Sequence, residues 1–427
     1  MGVEEKVRVL FADQLNLARG KYIPRSYAER GQVNFCLGAY AVTYCRQLLN
    51  APGAKMMQGL PDMEAVFDMK DARDSWDYGT KVVIADLQED GKPLALDGRA
   101  LLKRTLKEWD ALGYTVKVGL ETEAYIYQRD ADGTWVPYDT PGAYVYGTGP
   151  ATDPAGLIDE IWENAAKCGF NVESLNSEYD SPQFELTLKY DDALKAVDDM
   201  FLFRLMAREV VAKRGYMLNF MPKPIAGSGG SGLHVNFSLW KDGKNMLNDE
   251  NAERGLSDLG HQAIAGMLHH HEGMAALMAP TVNSYKRLIP ENLAGYWANW
   301  GYDHRGVTVR VSQERGDAMR LEHRMGDCAS SPYIAVATVL QTALLGVQNG
   351  YPVPPAETGD CFENVNTDRH TPANLGDALK ALKADKALVE KIGETMVANF
   401  VHVKEAELEV AKGQPDEWDF EYYSPFI

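Results

Sequence analysis

Two glutamates separated by a single residue, Glu121 and Glu123, follow directly on a strand-like pattern at residues 115–118. Successive strand side chains alternate faces, so both carboxylates point the same way, about 7 Å apart. On a core strand such a pair repels and loses hydration unless a cation sits between the two groups. The chain must therefore leave this strand face in water or build a cation site around it.

Other segments bear on that choice. Glu178 and Glu185 lie in Asn176-Ser177-Glu178-Tyr179-Asp180-Ser181-Pro182-Gln183-Phe184-Glu185. A separation of seven puts them on opposite faces of a straight strand, and Ser181-Pro182 supplies a bend that would re-aim them. The alternative is a solvated acidic loop. Further on, Phe220-Met221-Pro222-Lys223-Pro224 precedes a glycine-rich stretch, 227–232, and a strand at 233–240 with His234, Asn236 and Ser238 on one face. Glycines let a backbone approach a ligand closely, but this spacing matches neither a P-loop nor a dinucleotide fingerprint. Read alone, His234 is a structural histidine or a ligand. Arginines complete the set: Arg287, Arg305 and Arg310 flanking a strand, and Arg320-Leu321-Glu322-His323-Arg324 with residues 320, 322 and 324 on one face. Guanidinium groups so placed suit bidentate recognition of carboxylate and phosphate, or form surface ion pairs.

Composition narrows the function. Among 427 residues, 61 acids against 43 bases leave a net charge of −18, which argues against a nucleic-acid partner. Hydrophobic residues at 45% and charged residues at 24% fit a globular protein. No apolar run approaches the roughly 20 residues of a membrane span. Residues 1–14 lack the apolar stretch of a signal peptide, and the five cysteines are scattered without C-x-x-C spacing. The expectation is a cytoplasmic protein without disulfides and without a membrane partner.

The first hundred residues are strand-like, with apolar runs at 7–11 and 81–85. From Asp97 the pattern turns helical: an amphipathic helix at 98–113, stopped by Gly113, then helices at 192–214 and 333–345 and helical pattern through 373–412. The fold class is α+β in two domains, 1–97 and 98–427.

In order and together, these segments resemble the glutamine synthetase superfamily across most of the chain. Arg19-Gly20-Lys21 is similar to its N-terminal RGK element, and Gly59-Leu60-Pro61-Asp62-Met63 to the segment closing its small domain. The paired glutamates, the E-x(n)-Q-x-E element, MPKP with the glycine loop and H-V-x-x-S-L-W, NSYKRL and R-x-E-x-R follow. The resemblance implies a β-grasp-like N-terminal domain, a catalytic α/β domain, and rings of subunits with active sites between neighbours, typically dodecamers. It implies two divalent metal sites, for Mg²⁺ or Mn²⁺: Glu123, Glu178 and Glu185 near the acceptor substrate, and Glu121, His234 and Glu322 near the ATP phosphates. By the same resemblance Arg305 meets the transferring phosphate, Arg287 and Arg324 hold glutamate carboxylates, and Gly230 offers backbone to glutamate. Ser238, Asn236, Arg310 and Lys223 fall to the nucleotide. The implied chemistry phosphorylates glutamate's γ-carboxylate with ATP, after which an amine displaces phosphate.

Three departures bear on that amine. The small-domain aspartate that helps to bind and deprotonate ammonium has no counterpart, since residues 31–61 contain no Asp or Glu. The flap glutamate's place is Leu293, with Glu291 two residues off register. Gly229 stands where the loop usually begins with Asn, and Asn236 where a second histidine is usual. These losses predict an aryl or small alkyl amine as acceptor, with Tyr40, Tyr44, Leu293, Tyr296, Trp297 and Trp300 as candidate pocket residues. The alternatives are an ordinary glutamine synthetase using Glu291, and a non-catalytic sensor of glutamate or nucleotide.

Overall fold

A computed structural model describes residues 5–362 and 364–427. The first four residues of the stretch read as lacking a signal peptide lie outside it. Eight strands open the chain: β1 (Lys6–Ala12), β2 (Ala18–Pro24), β3 (Gln32–Cys36), β4 (Asp62–Val66), β5 (Arg73–Asp74), β6 (Thr80–Ile84), β7 (Asp86–Glu89) and β8 (Lys92–Pro93). They form two four-stranded sheets, ordered β2-β1-β6-β5 and β3-β4-β7-β8. Strand β1 is apolar on both faces for a reason. Val7, Val9 and Phe11 pack into a small core with Val33, Leu37, Met63 and Leu87, while Leu10 and Ala12 turn into the large core of the rest of the chain. One strand thus serves as a wall shared by two cores.

The helix expected from residue 98 runs Gly98–Ala111, with the Asp97 carboxylate capping it by accepting from the Arg99 and Ala100 amides. Gly113 follows at a φ of +85°, the left-handed conformation that glycine tolerates at a helix end. The long helices at Ala193–Lys213 and Pro332–Asn349 fall where the periodicity placed them. The pattern at 373–412 is three helices, Leu375–Ala384, Lys386–Ile392 and Glu394–Ala411, broken at Asp385 and at Gly393. The class is α+β.

The second half is built on eleven strands: β9 (Thr115–Arg129), β10 (Trp135–Pro137), β11 (Val172–Ser177), β12 (Gln183–Leu188), β13 (Asp191–Asp192), β14 (Met217–Asn219), β15 (Leu233–Lys241), β16 (Lys244–Asn245), β17 (Trp300–Tyr302), β18 (Val309–Val311) and β19 (Leu321–His323). The main path is β11-β12-β9-β15-β19-β18-β17, antiparallel except for the β17–β18 pair. Strand β9 is one 15-residue element, so the glutamates lie within it and not after it. Its alternation is strict: Val116, Val118, Leu120, Thr122 and Ala124 are buried on one face, and Lys117, Gly119, Glu121 and Glu123 occupy the other. Helices Gly98–Ala111 and Ala193–Lys213 pack on β9. Among the described residues, no helix is long and apolar enough to cross a membrane.

Candidate active site

Register brings the acids together. Glu185 on β12 is paired with Glu123 on β9, and His234 on β15 with Glu121. Asn236 on β15 is paired with Glu322 on β19, which in turn faces Arg310 on β18. Cross-strand partners share a face, so side chains from five strands converge on one side of the sheet. Glu178 arrives differently. Residues 176–185 are two strands and a turn, not one bent strand: Glu178 sits just past β11 and its amide donates to the Gln183 carbonyl at 2.8 Å. The turn carries a cis Ser181–Pro182 bond.

Two triads result. Ligand atoms of Glu121, His234 and Glu322 lie within 4.8 Å of one another, as do those of Glu123, Glu178 and Glu185. His234 Nδ1 stands 3.2 Å from Glu121 Oε2 and 3.5 Å from Glu322 Oε1. Asn236 Nδ2 donates to Glu121 Oε1 at 2.8 Å, and Arg310 Nη1 to Glu322 Oε2 at 3.0 Å. Arg324 Nη1 donates to the other Glu322 oxygen. Burial pushes Glu322 up, but Arg324, His234 and Arg310 outweigh it and hold the carboxyl low, at about 2. Glu121 is likewise kept below its usual range, burial being overcome by His234 and Asn236.

The other triad is compensated far less, with no arginine among the described residues hydrogen-bonded to its carboxylates. Burial, then the charges of Glu121, Glu123 and Glu178, raise Glu185 to about 8, and burial with Glu123 raises Glu178. A cluster of carboxylates that resists ionisation alone is what a cation relieves. Five carboxylates and one imidazole form a donor set that fits hard divalent cations such as Mg²⁺ or Mn²⁺.

A cavity of about 1010 Å³ opens over these groups. It holds both triads except Glu322, together with Lys223, Gly230, Arg287, Leu293, Arg305, Arg310 and Arg324. Arg287 is buried and donates to the carbonyls of Met325 (2.9 Å) and Arg324 (3.2 Å). Gly230 packs so tightly on it that a Cβ would lie 2.5 Å from Arg287 Cγ. The next glycine, Gly232, donates its amide to Glu123 Oε2 at 2.6 Å, and a Cβ there would meet Arg287 Nη2 at 2.7 Å. The glycine loop is therefore a close-approach device between an arginine and a carboxylate triad. Arg305 is exposed in the cavity and has no hydrogen-bond or ion-pair partner among the described residues, a guanidinium available to an anion.

A second cleft of about 340 Å³ takes Asn236 and Ser238 with Glu121, Lys117, Tyr190 and Arg320. Lys223, expected with these residues, instead lines the larger cavity beside Gly230. Its ammonium donates to the Ser228 carbonyl within the glycine loop.

The expected aromatic pocket is corrected. Tyr40 and Tyr44 are 0% and 2% exposed: Tyr40 stacks on Phe11, and Tyr44 packs against Tyr422, Tyr423 and Phe426. Trp297 and Tyr296 pack on each other and on His370, and Trp300 is buried against His261 and Tyr302. Tyr40, Tyr44 and Trp300 belong to the cores, Tyr296 and Trp297 are half-buried in their own cluster with His370, and none of the five lines the cavity. Of that set only Leu293 does, 47% exposed. The aromatics at the mouth are Tyr146, Tyr179 and Phe362, which sequence reasoning missed. Tyr179 and Asp180 stood inside the acidic segment, between Glu178 and the Ser-Pro turn, and that proximity was their only signal. Tyr146 and Phe362 sit in loops without periodicity.

Residues 95–423 match the family model "Glutamine synthetase, catalytic domain". The chain is 32% identical over 413 residues to a glutamine synthetase of Pyrococcus furiosus, covering 94% of this chain and 90% of that one. It is 35% identical over 352 residues to one of Clostridium saccharobutylicum, covering 78% and 77%. Among solved structures, a GmaS/ADP complex superposes with a TM-score of 0.85 at 28% identity, covering 98% and 96%. A novel glutamine synthase homolog superposes at 0.86 with 23% identity, covering 100% and 99%, a likeness of fold. A family model matched over residues 95–423, and relatives matched over most of the chain, lead to one conclusion: the chain belongs to the glutamine synthetase family and is an ATP-dependent ligase.

Proposed function

We propose that the protein joins glutamate to a primary amine other than ammonium, an aryl or small alkyl amine, through γ-glutamyl phosphate. The observation that carries this reading is the mouth of the cavity. Leu293, Tyr179 and Phe362 expose apolar surface beside a site otherwise built for charge. Residues 31–61 add no carboxylate to the small domain. An amine with an apolar substituent gains from such a rim, and one that is neutral near pH 7 needs no protein base.

In this reading Arg287 and Arg324 orient glutamate's carboxylates at the glycine loop. A γ-carboxylate oxygen attacks the γ-phosphorus of ATP, ADP departs, and Arg305 neutralises the phosphoryl oxygens. The amine nitrogen then attacks the acyl carbon, phosphate leaves, and the nitrogen gives its proton to water. Glu123, Glu178 and Glu185 would hold one Mg²⁺ or Mn²⁺, and Glu121, His234 and Glu322 a second. Bound there, the cations supply electrostatic stabilisation of phosphoryl charge. Ser238 and Asn236 serve the nucleotide side, with Arg310 positioning Glu322; the relative solved as an ADP complex supports nucleotide use. Residues 1–97 act as the small domain in ring assemblies of a cytoplasmic enzyme.

A second reading has one observation in its favour. Glu291 lines the cavity, and relatives carry the name glutamine synthetase, so ammonium with Glu291 as base is the competitor. ATP turnover with glutamate against ammonium, methylamine, isopropylamine, ethanolamine, putrescine and aniline separates the two. Ammonium as best substrate by kcat/KM rejects the first.

A further inference from the structure

Beside Gly229 the space of a side chain is already taken. A Cβ on Gly229 would lie 3.0 Å from Asp180 Oδ2 and 3.4 Å from Gln183 Oε1. The Gly229 amide donates to that same Asp180 oxygen. A carboxylate from the turn between β11 and β12 thus stands in for a side chain on the glycine loop. The loop cannot drift from it: Gln183 Nε2 donates to the Gly230 carbonyl at 3.0 Å and to Ser231 Oγ at 3.2 Å, and Tyr125 OH to the Gly229 carbonyl at 2.9 Å. The next residue, Gly230, is packed against the Arg287 side chain.

Asp180, Gly229, Gly230 and Arg287 therefore form one contiguous strip of the cavity, with a carboxylate at one end and a guanidinium at the other. That charge pattern complements the head group of an amino acid, whose ammonium and carboxylate share one carbon. A dicarboxylate lacking the amino group would satisfy the arginine and leave Asp180 unmatched. Glu123, the other acid near the loop, has one oxygen engaged by the Gly232 amide and belongs to a triad.

We propose that Asp180 is a specificity-determining residue that recognises the α-ammonium group of the amino-acid substrate. This rests on glutamate as substrate but not on the identity of the amine. Asp180→Asn is the informative variant, because its carbonyl oxygen still accepts from the Gly229 amide while the charge is gone. With ATP and Mg²⁺, hydroxylamine serves as a neutral acceptor that traps acyl phosphate as hydroxamate, and glutamate is compared with glutarate. The wild type is expected to prefer glutamate. In Asp180→Asn, kcat/KM for glutamate is expected to fall about 10- to 100-fold with glutarate changed less than about threefold, the scale of one desolvated charged hydrogen bond. Asp180→Glu is expected to recover part of the preference. An equal fall for both substrates, or no fall for either, overturns the proposal. Calorimetric binding of glutamate and glutarate to the ADP-loaded protein reads the same ratio without turnover. A wild type that makes no hydroxamate fails the ligase reading, whereas Asp180 stands or falls on that binding ratio.

Discussion

Glu185 and Glu123 sit directly opposite each other on neighbouring strands, carboxylate facing carboxylate, with Glu178 closing the triad from a turn. Like charges so placed destabilise a sheet unless something compensates them. The fold accepts this cost at the position where it can hold a cation.

Glu185→Gln should therefore separate stability from function. In chelator-treated protein at pH 8 the variant is expected to melt above the wild type, because a repelled, buried carboxyl is gone. On adding Mg²⁺ the wild type should gain stability and the variant little, and ligase activity should fall on the order of 100-fold. Melting curves with and without Mg²⁺ check this, and a variant that melts lower without metal contradicts it.

His271 supplies a pH dependence. Burial lowers it to about 4, and Nε2 contacts the Tyr296 carbonyl (3.1 Å) and the Thr371 hydroxyl (3.2 Å). An unfolded histidine titrates near 6.5. Between pH 6.5 and 4 the unfolded chain binds a proton that the folded chain refuses, so this group's contribution is full above pH 6.5 and is lost as pH falls. The slope is about 1.4 kcal/mol per pH unit. Since buried acids such as Asp97, raised to about 7, act in the opposite direction, the test is a difference. His271→Gln should flatten the stability–pH curve over pH 4–6 by about one proton, read from denaturant melts at each pH.

The C-terminal helices hold a buried ion pair. Lys404 and Glu407 are 0% and 1% exposed, with Nζ and Oε2 at 2.9 Å. Tyr423 OH donates to the other Glu407 oxygen at 2.5 Å, and the Lys404 ammonium lies 5.3 Å from the Tyr44 ring centroid. Lys404→Met leaves Glu407 buried without its counter-ion and should cost about 3–5 kcal/mol. Adding Glu407→Leu should recover part of that loss in equilibrium unfolding: it removes the orphaned carboxylate but leaves the Tyr423 hydroxyl without its acceptor.

How far the site was legible depended on what positioned each residue. Glu121, Glu123, His234 and Glu322 were readable because strand alternation is local, and the motifs carried the partners across the sheet. Glu178 and Glu185 looked misaligned because the turn that separates their strands carries no periodic signal. The aromatics show the limit. Tyr40, Tyr44 and Trp300 are as suited to a pocket as to a core by composition, and only packing assigns them to the core. The rings that reach the cavity mouth lie in loops, where spacing says nothing about direction. Strand β1, apolar on both faces, announced burial but not that it would divide two cores.

The pairing of β9 with β12 and β15, and of β15 with β19, has a consequence for how the protein is made. A slip of one residue in any of those ladders would turn its carboxylate or imidazole to the opposite face. The Glu121–His234–Glu322 triad draws on strands spread from residue 121 to residue 322, and the Glu123–Glu178–Glu185 triad on segments between residues 123 and 185, so each forms only when the ladders among its own strands are in register. A cation bound at either triad would therefore report that the strands supplying its ligands have found their register.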